Sequence, residues 1–276
     1  MRVVFFGTPE FAIPTLKALR KAGHDVLLVV SREDKPAGRH LLMSTPAVAD
    51  FARAVGLPVM QAEKLASDDF LQQFKQLGAE AGVVVAFGRF IPSRLLHIPR
   101  YGFINLHPSL LPRHRGPAPI QWAIYSGDKE TGVTTMLLDE GMDTGPILLQ
   151  RATPIDPREH APQLEARLAQ MGAELMIETL EGLANRTVHP RPQDHSQATV
   201  TPKLERKMGR VDWNLPADEL ARRVAASPGM FKSAPAVLDV EGAGPGLDLA
   251  AALRAVRGAG LIPVAVCGLT PAQEEE

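Results

Sequence analysis

The sequence predicts an α/β fold on a mostly parallel sheet, and three observations carry that prediction. Apolar runs at residues 3–6, 26–30 and 83–86 are continuous, not alternating, as expected of strands covered on both faces. Segments with helical spacing of apolar residues lie between such runs. Glycine and proline mark the joins.

The elements follow in order. Residues 3–6 read as a buried strand that meets a turn at Gly7-Thr8-Pro9. The helical stretch after it ends at Gly23; Pro9 suits a first helical turn, and Pro14 restarts or kinks the helix. Residues 26–30 form the second strand. Thr45 caps a helix with Pro46 at its first position and Gly56 as its stop. Ser67 caps another that runs to Leu77 and ends at Gly78. Residues 83–86 make the third strand, and 102–106, 132–138 and 147–151 add more. Over residues 163–183 the spacing of Leu164, Leu168, Met171, Leu175 and Leu180 predicts a helix with one stripe facing the core.

Composition sets the bounds. The 276 residues fit one large domain or two ordinary ones of about 150 residues each. With 45% apolar and 22% charged residues, a disordered or fibrous chain is excluded. Thirty basic against 31 acidic residues leave a formal net charge of −1, so a nucleic-acid partner has to be met by a local patch. The single Cys267 excludes an internal disulfide or a multi-cysteine metal site, and suits a reducing, cytoplasmic setting. The apolar runs stop short of the ~20 residues of a membrane span. The strand-like start at Arg2 leaves no charged-then-apolar leader.

Composition changes near residue 187. Residues 1–188 read as one domain, 189–202 as a proline-rich linker, and 203–276 as a C-terminal region that changes character after about 226. Lys203, Arg206, Lys207 and Arg210 make its start basic. Residues 227–276 are rich in Ala, Gly and Pro and carry a net −3, which leaves +2 on residues 1–226; residues 247–257 read as helix.

Two clusters can carry chemistry. In Asn105-Leu106-His107-Pro108-Ser109-Leu110-Leu111-Pro112-Arg113-His114-Arg115-Gly116, Asn105 and His107 sit at i and i+2 near a strand end, so both face one side. Ligands of open α/β sheets bind at the carboxyl ends of strands. An amide beside an imidazole there can hold one oxygen from two directions, which suits a carbonyl that becomes an oxyanion. Either residue alone reads better as a satisfier of strand-end backbone groups; the pair, beside a loop that cannot continue the strand, favours function. In Asp139-Glu140-Gly141-Met142-Asp143-Thr144-Gly145-Pro146, two glycines and a proline define a sharp loop with three carboxylates. One of them near the Asn–His pair would orient or charge the imidazole and handle a proton. Taken alone, this segment reads equally well as an acidic turn.

Other chemistries find less support. His107 and His114 are seven apart, and no Cys–His or carboxylate–His spacing matches a metal site. Gly7 has no Gly-x-Gly-x-x-Gly around it. Ser109 lacks a nucleophile elbow, and Cys267 lies in a tail with no evident partner. Asp34-Lys35-Pro36-Ala37-Gly38-Arg39 reads first as a solvated turn. Arg32, Lys35 and Arg39 could contact phosphate there, balanced by Glu33, Asp34 and Asp50.

The two clusters, in this order and spacing, resemble the formyltransferase domain that uses 10-formyltetrahydrofolate. Three more segments resemble the methionyl-tRNA formyltransferase family within it. They are Phe6-Gly7-Thr8-Pro9-Glu10-Phe11-Ala12, Asp34-Lys35-Pro36-Ala37-Gly38-Arg39 and Gly209-Arg210-Val211-Asp212-Trp213, and the likeness runs from residue 1 to about 224. It implies a Rossmann-like formyltransferase domain followed by a short C-terminal region of the OB type. Asn105 and His107 would then bind and polarise the formyl oxygen. Asp143 would hold a water and His107 and help move the amine's proton. Ser109, Leu110, Leu111 and Pro112 would cradle the folate, with the backbone of Phe87, Gly88, Arg89 and Ile91 lining the pterin pocket. Lys35, Arg39, Lys203, Arg206 and Lys207 would meet tRNA.

The implied reaction passes the formyl group of 10-formyltetrahydrofolate to the amino group of initiator methionyl-tRNA, for translation initiation, on a monomeric cytoplasmic enzyme without a metal or membrane. The residues agree with that logic, since amine attack on a formamide-like carbon needs an oxyanion site and a proton acceptor. Two departures stand out. His40-Leu41-Leu42-Met43 replaces the lysines that usually follow the family's loop arginine, which weakens the grip on phosphates. Only fifty residues follow Ala226, where the family carries a whole barrel, and beyond Ser227-Pro228-Gly229-Met230-Phe231 the likeness fades. Formyl transfer to a small amine, hydrolysis of the formyl donor, and a non-catalytic member of the family are the alternatives.

Overall fold

Four successive side chains, Val3, Val4, Phe5 and Phe6, are fully buried in strand β1 (Arg2–Gly7). Their burial is shared between two cores. Val3 and Phe5 join one, Val4 and Phe6 the other, because successive strand residues point to opposite faces. That is the physical meaning of the continuous apolar runs. The computed structural model describes residues 1–37, 42–61, 65–205, 219, 222, 226, 235–239, 248–258 and 262–267.

The central sheet contains β1, β2 (Asp25–Ser31), β5 (Val59–Gln61), β6 (Ala81–Val85), β7 (Phe103–His107), β8 (Glu130–Leu137) and β9 (Ile147–Pro154). Their order is β5-β2-β1-β6-β7-β8-β9. The first five run parallel, and β8 and β9 are antiparallel additions on one edge. A small antiparallel pair, β3 (Lys35–Ala37) and β4 (Leu42–Ser44), stands apart from the sheet.

On the first face lie α1 (Ile13–Lys21), α2 (Ala47–Ala54), α5 (Pro119–Tyr125) and α6 (Ala161–Ala184). On the second lie α3 (Asp68–Leu77) and the short α4 (Ser93–Leu96). There Phe6, Phe74, Phe87 and Phe103 form an aromatic cluster, with the Phe6 and Phe103 rings 5.5 Å apart and Phe74 stacked on Phe103 at 5.7 Å. Pro14 restarts the helix as predicted: a 3-10 turn at Glu10–Ala12 precedes α1, with Pro14 in its first turn. The ends of α3 also match, since Ser67 accepts from the Phe70 N–H and Gly78 closes the helix in the left-handed conformation. The cap of α2 does not. Pro46 takes the cap position, and the Thr45 hydroxyl donates to Asp34 at 3.2 Å.

The long α6 buries Leu164, Leu168, Leu175 and Leu180 as expected, with Met171 half-buried. Its Gly172 lies against Leu106 of β7, where a Cβ would come within 2.5 Å of the leucine side chain. Close approach of helix to strand at this point sets the position of β7's end.

Residues 187–205 hold one 3-10 turn (His195–Gln197) and two isolated bridges. The prolines exclude regular structure here, but the segment is no loose linker. Gln193 and Thr201 are buried, and the strap lies along the loop after β7. Farther on, β10 (Pro235–Asp239) and β11 (Ile262–Cys267) pair in parallel, with α7 (Leu249–Gly258) between them in sequence. Among the described residues, no helix is long and apolar enough to cross a membrane.

Candidate active site

The strand β7 ends between a parallel neighbour, β6, and an antiparallel one, β8. Ile104 and Leu106 face the α6 core, so alternation leaves Asn105 and His107 together on the opposite face. Asn105 is half-buried, opposite Val84 and Met136; His107 is 5% exposed.

The His107 Nε2 lies 2.9 Å from the backbone oxygen of His114. A carbonyl can only accept, so Nε2 carries the proton and Nδ1 of the neutral ring presents a lone pair. That Nδ1 is 3.7 Å from Asp143 Oδ1. The gap exceeds a hydrogen bond, and a donor seated between the two would satisfy both. The sequence pointed to a nearby carboxylate to orient or charge the imidazole; Asp143 lies on its Nδ1 side, and the carbonyl of His114 holds its Nε2 side. Backbone groups carry no side-chain signature, which is why the sequence could not show this.

The three carboxylates of the second cluster separate cleanly. Asp139 folds the loop, accepting from Gly141 N–H and the Thr144 hydroxyl. Glu140 is exposed. Asp143 turns toward His107 from a left-handed backbone conformation, φ +55°. Its Oδ2 accepts from the Gly116 N–H at 2.8 Å, and its carbonyl accepts from Gln193 Nε2 at 2.9 Å.

The loop between them is held from several sides. Ser109 is fully buried and its hydroxyl donates to Arg113 O at 2.6 Å, so that side chain supports the loop and does not face a ligand. Thr134 on β8 donates to Ser109 O and accepts from Leu111 N–H and Gln150 Nε2. Leu111 is buried, Leu110 and Pro112 are half-buried, and the Leu111–Pro112 bond is cis. His114 Nε2 meets Asp128 at 2.6 Å, and Arg113 meets the same carboxylate at 2.8 Å. Gly116, with φ +95°, passes so close to Thr201 that a Cβ would sit 2.9 Å from its carbonyl oxygen.

Of the stretch expected to line a pterin pocket, Phe87 and Ile91 point into the second core, and the Phe87 carbonyl accepts from Thr8. Gly88 is exposed with φ +76°. Arg89 pairs with Glu33 at 2.6 Å. A hydrogen bond from its own backbone N–H lowers the Glu33 carboxyl below the usual range, with Arg89 adding to it against the effect of burial. Lys35 and Lys203 are exposed. Arg39, Arg206, Lys207, Arg210 and the Val211-Asp212-Trp213 segment lie outside the described residues.

An amide, an imidazole whose Nδ1 faces a carboxylate, and that tethered carboxylate thus lie together at the carboxyl end of a parallel strand. The chain belongs to the formyl transferase family, whose model matches residues 1–180. Within that family it groups with the methionyl-tRNA formyltransferases. The methionyl-tRNA formyltransferase of Acidobacterium capsulatum is 51% identical over 224 residues, which is 81% of this chain and 72% of that one. Its counterpart in Thermodesulfovibrio yellowstonii is 47% identical over 212 residues, 77% and 68% of the two chains. Among solved structures, HypX from Aquifex aeolicus in complex with tetrahydrofolic acid shares the fold, with a TM-score of 0.62 at 20% identity. That match covers 82% of this chain and 34% of HypX.

Proposed function

We propose that this chain transfers the formyl group of 10-formyltetrahydrofolate to the amino group of initiator methionyl-tRNA, the reaction that prepares the initiator for translation. The convergence of Asn105, His107 and Asp143, in a chain of this family, carries the reading. The amine nitrogen attacks the formyl carbon, and the carbonyl electrons move onto oxygen, where the Asn105 amide donates to them. The amine's proton passes to Nδ1 of His107, directly or through a water held at Asp143 Oδ1. As the tetrahedral centre collapses, the bond to the folate nitrogen breaks and that nitrogen takes the proton. Nδ1 ends unprotonated, ready for the next turnover.

Leu110, Leu111 and Pro112 with the exposed backbone at Gly88 would bound the folate, while Ser109 acts by holding their loop. Lys35, Arg39, Lys203, Arg206 and Lys207 would meet tRNA phosphates. Residues 1–188 would be the catalytic domain and 203–276 the tRNA-binding region, in a monomeric, cytoplasmic enzyme.

The test is formyl transfer to methionyl-initiator-tRNA by the full chain at low salt, with Asn105→Ala and His107→Ala beside it. Each variant is expected to lose activity by roughly 10²–10⁴-fold. Transfer that persists undiminished in His107→Ala would sink the reading.

A further inference from the structure

We propose that Gln193, in the strap beyond the catalytic domain, is a positioning residue that locks Asp143 against His107. The proposal rests on the reading of those two residues given above. Gln193 is 6% exposed and uses both ends of its amide. Its Nε2 donates to Asp143 O at 2.9 Å and to Gly145 O at 2.7 Å. Its Oε1 accepts from the Arg115 guanidinium, at 3.1 Å from Nε and 2.6 Å from the terminal nitrogen. Partner chemistry fixes which end is which, because carbonyls only accept and a guanidinium only donates.

One side chain therefore joins the two loops that make the site. One loop carries Asp143. The other carries the His114 carbonyl that sets the His107 ring, next to Arg115 in sequence. Asp143 needs such a holder. A left-handed conformation is unfavourable for a residue with a Cβ, yet it is what turns this carboxylate toward Gly116 N–H and His107. Gln193 holds the carbonyl of that same residue. Arg115 is also buried, and among the described residues its side chain meets only Gln193 and His195 Nδ1, with no carboxylate. The rest of the strap repeats the pattern. Thr199 accepts from His114 N–H through its hydroxyl and from Arg115 N–H through its carbonyl, both at 2.8 Å, and the Thr201 N–H donates to Arg115 O at 2.8 Å.

Two substitutions separate positioning from mere support. Gln193→Glu keeps an acceptor for Arg115, now charged, but has no N–H for the carbonyls of Asp143 and Gly145. Gln193→Met removes both ends and strands the guanidinium. With the full chain, we expect at least a tenfold loss of kcat in both variants, with KM for each substrate within about twofold of the parent, and a lowered Tm in both, since each leaves the carbonyls of Asp143 and Gly145 without their donor. If KM rises in step with the loss of kcat, or Gln193→Glu turns over like the parent, Gln193 is structural and the proposal is overturned. An arm that does not depend on the acceptor keeps the two readings apart. The imidazole ¹⁵N resonances of His107 are expected to show a protonated Nε2 in the parent and a displaced Nδ1 signal in Gln193→Glu. An unmoved Nδ1 signal overturns the clamp even if the parent proves inactive on tRNA. An inactive parent with a displaced signal overturns the proposed reaction and leaves the clamp standing.

Discussion

At the scale of single residues, the site divides into groups that a sequence displays and groups that it hides. Asn105, His107 and Asp143 are visible because each is an unusual polar residue at a strand end or in a glycine-bounded turn, and the structure brings His107 and Asp143 together. The groups that hold them are backbone atoms and distant amides. Gln193 lies fifty positions from Asp143, and nothing local marks it. Thr134 is another hidden support. It is fully buried, with its hydroxyl 2.6 Å from Ser109 O and 3.2 Å from Leu111 N. Thr134→Val keeps the shape but leaves both backbone groups without a partner, so a loss of roughly 1–3 kcal/mol in unfolding free energy is expected. Thr134→Ser should retain most of the stability; denaturant unfolding of the pair checks this.

At the scale of elements, continuous apolar runs announced the central strands because each run serves two cores at once, as Val3 to Phe6 do. Local capping chemistry was legible at Ser67, which accepts from the Phe70 N–H, and one residue off at Thr45, where Pro46 takes the cap position. Prolines at 190, 192 and 202 told of an irregular segment but not of where it packs, since packing depends on groups far away in sequence. Helix α6 offers a test of linkage. Burial first, and then the charge of Glu10, raise the Glu165 carboxyl above its usual 4.5. The folded state thus holds a proton that the unfolded chain releases, and ionised Glu165 weakens the fold as pH rises through that window. Glu165→Gln should raise Tm at neutral pH. The gain should shrink on acidification and vanish below about 4.5, where the carboxyl is protonated in both states. A gain of equal size at all pH values would exclude the linkage.

At the scale of the molecule, charge is balanced overall but not evenly, with +2 on residues 1–226 and −3 on the remainder. Any hold on tRNA phosphates therefore rests on few cations. If Lys35, Arg39, Lys203, Arg206 and Lys207 each neutralise one phosphate, the logarithm of tRNA affinity should fall against the logarithm of salt with a slope of roughly −4. KM for tRNA measured across a salt series checks this; a much steeper slope would place other basic residues at the interface. The strap over the β7 loop has one more consequence, for the order of events during synthesis. The central sheet and the helices on its two faces are complete by residue 184, but the groups that hold Asp143 and His114 come from residues 193–201. A ribosome adding about 5–20 residues per second needs roughly 0.5–2 s to go from the end of α6 to Gln193. Throughout that interval the nascent chain exposes the residues of its chemistry without the means to aim them, so the chain acquires its fold before its function.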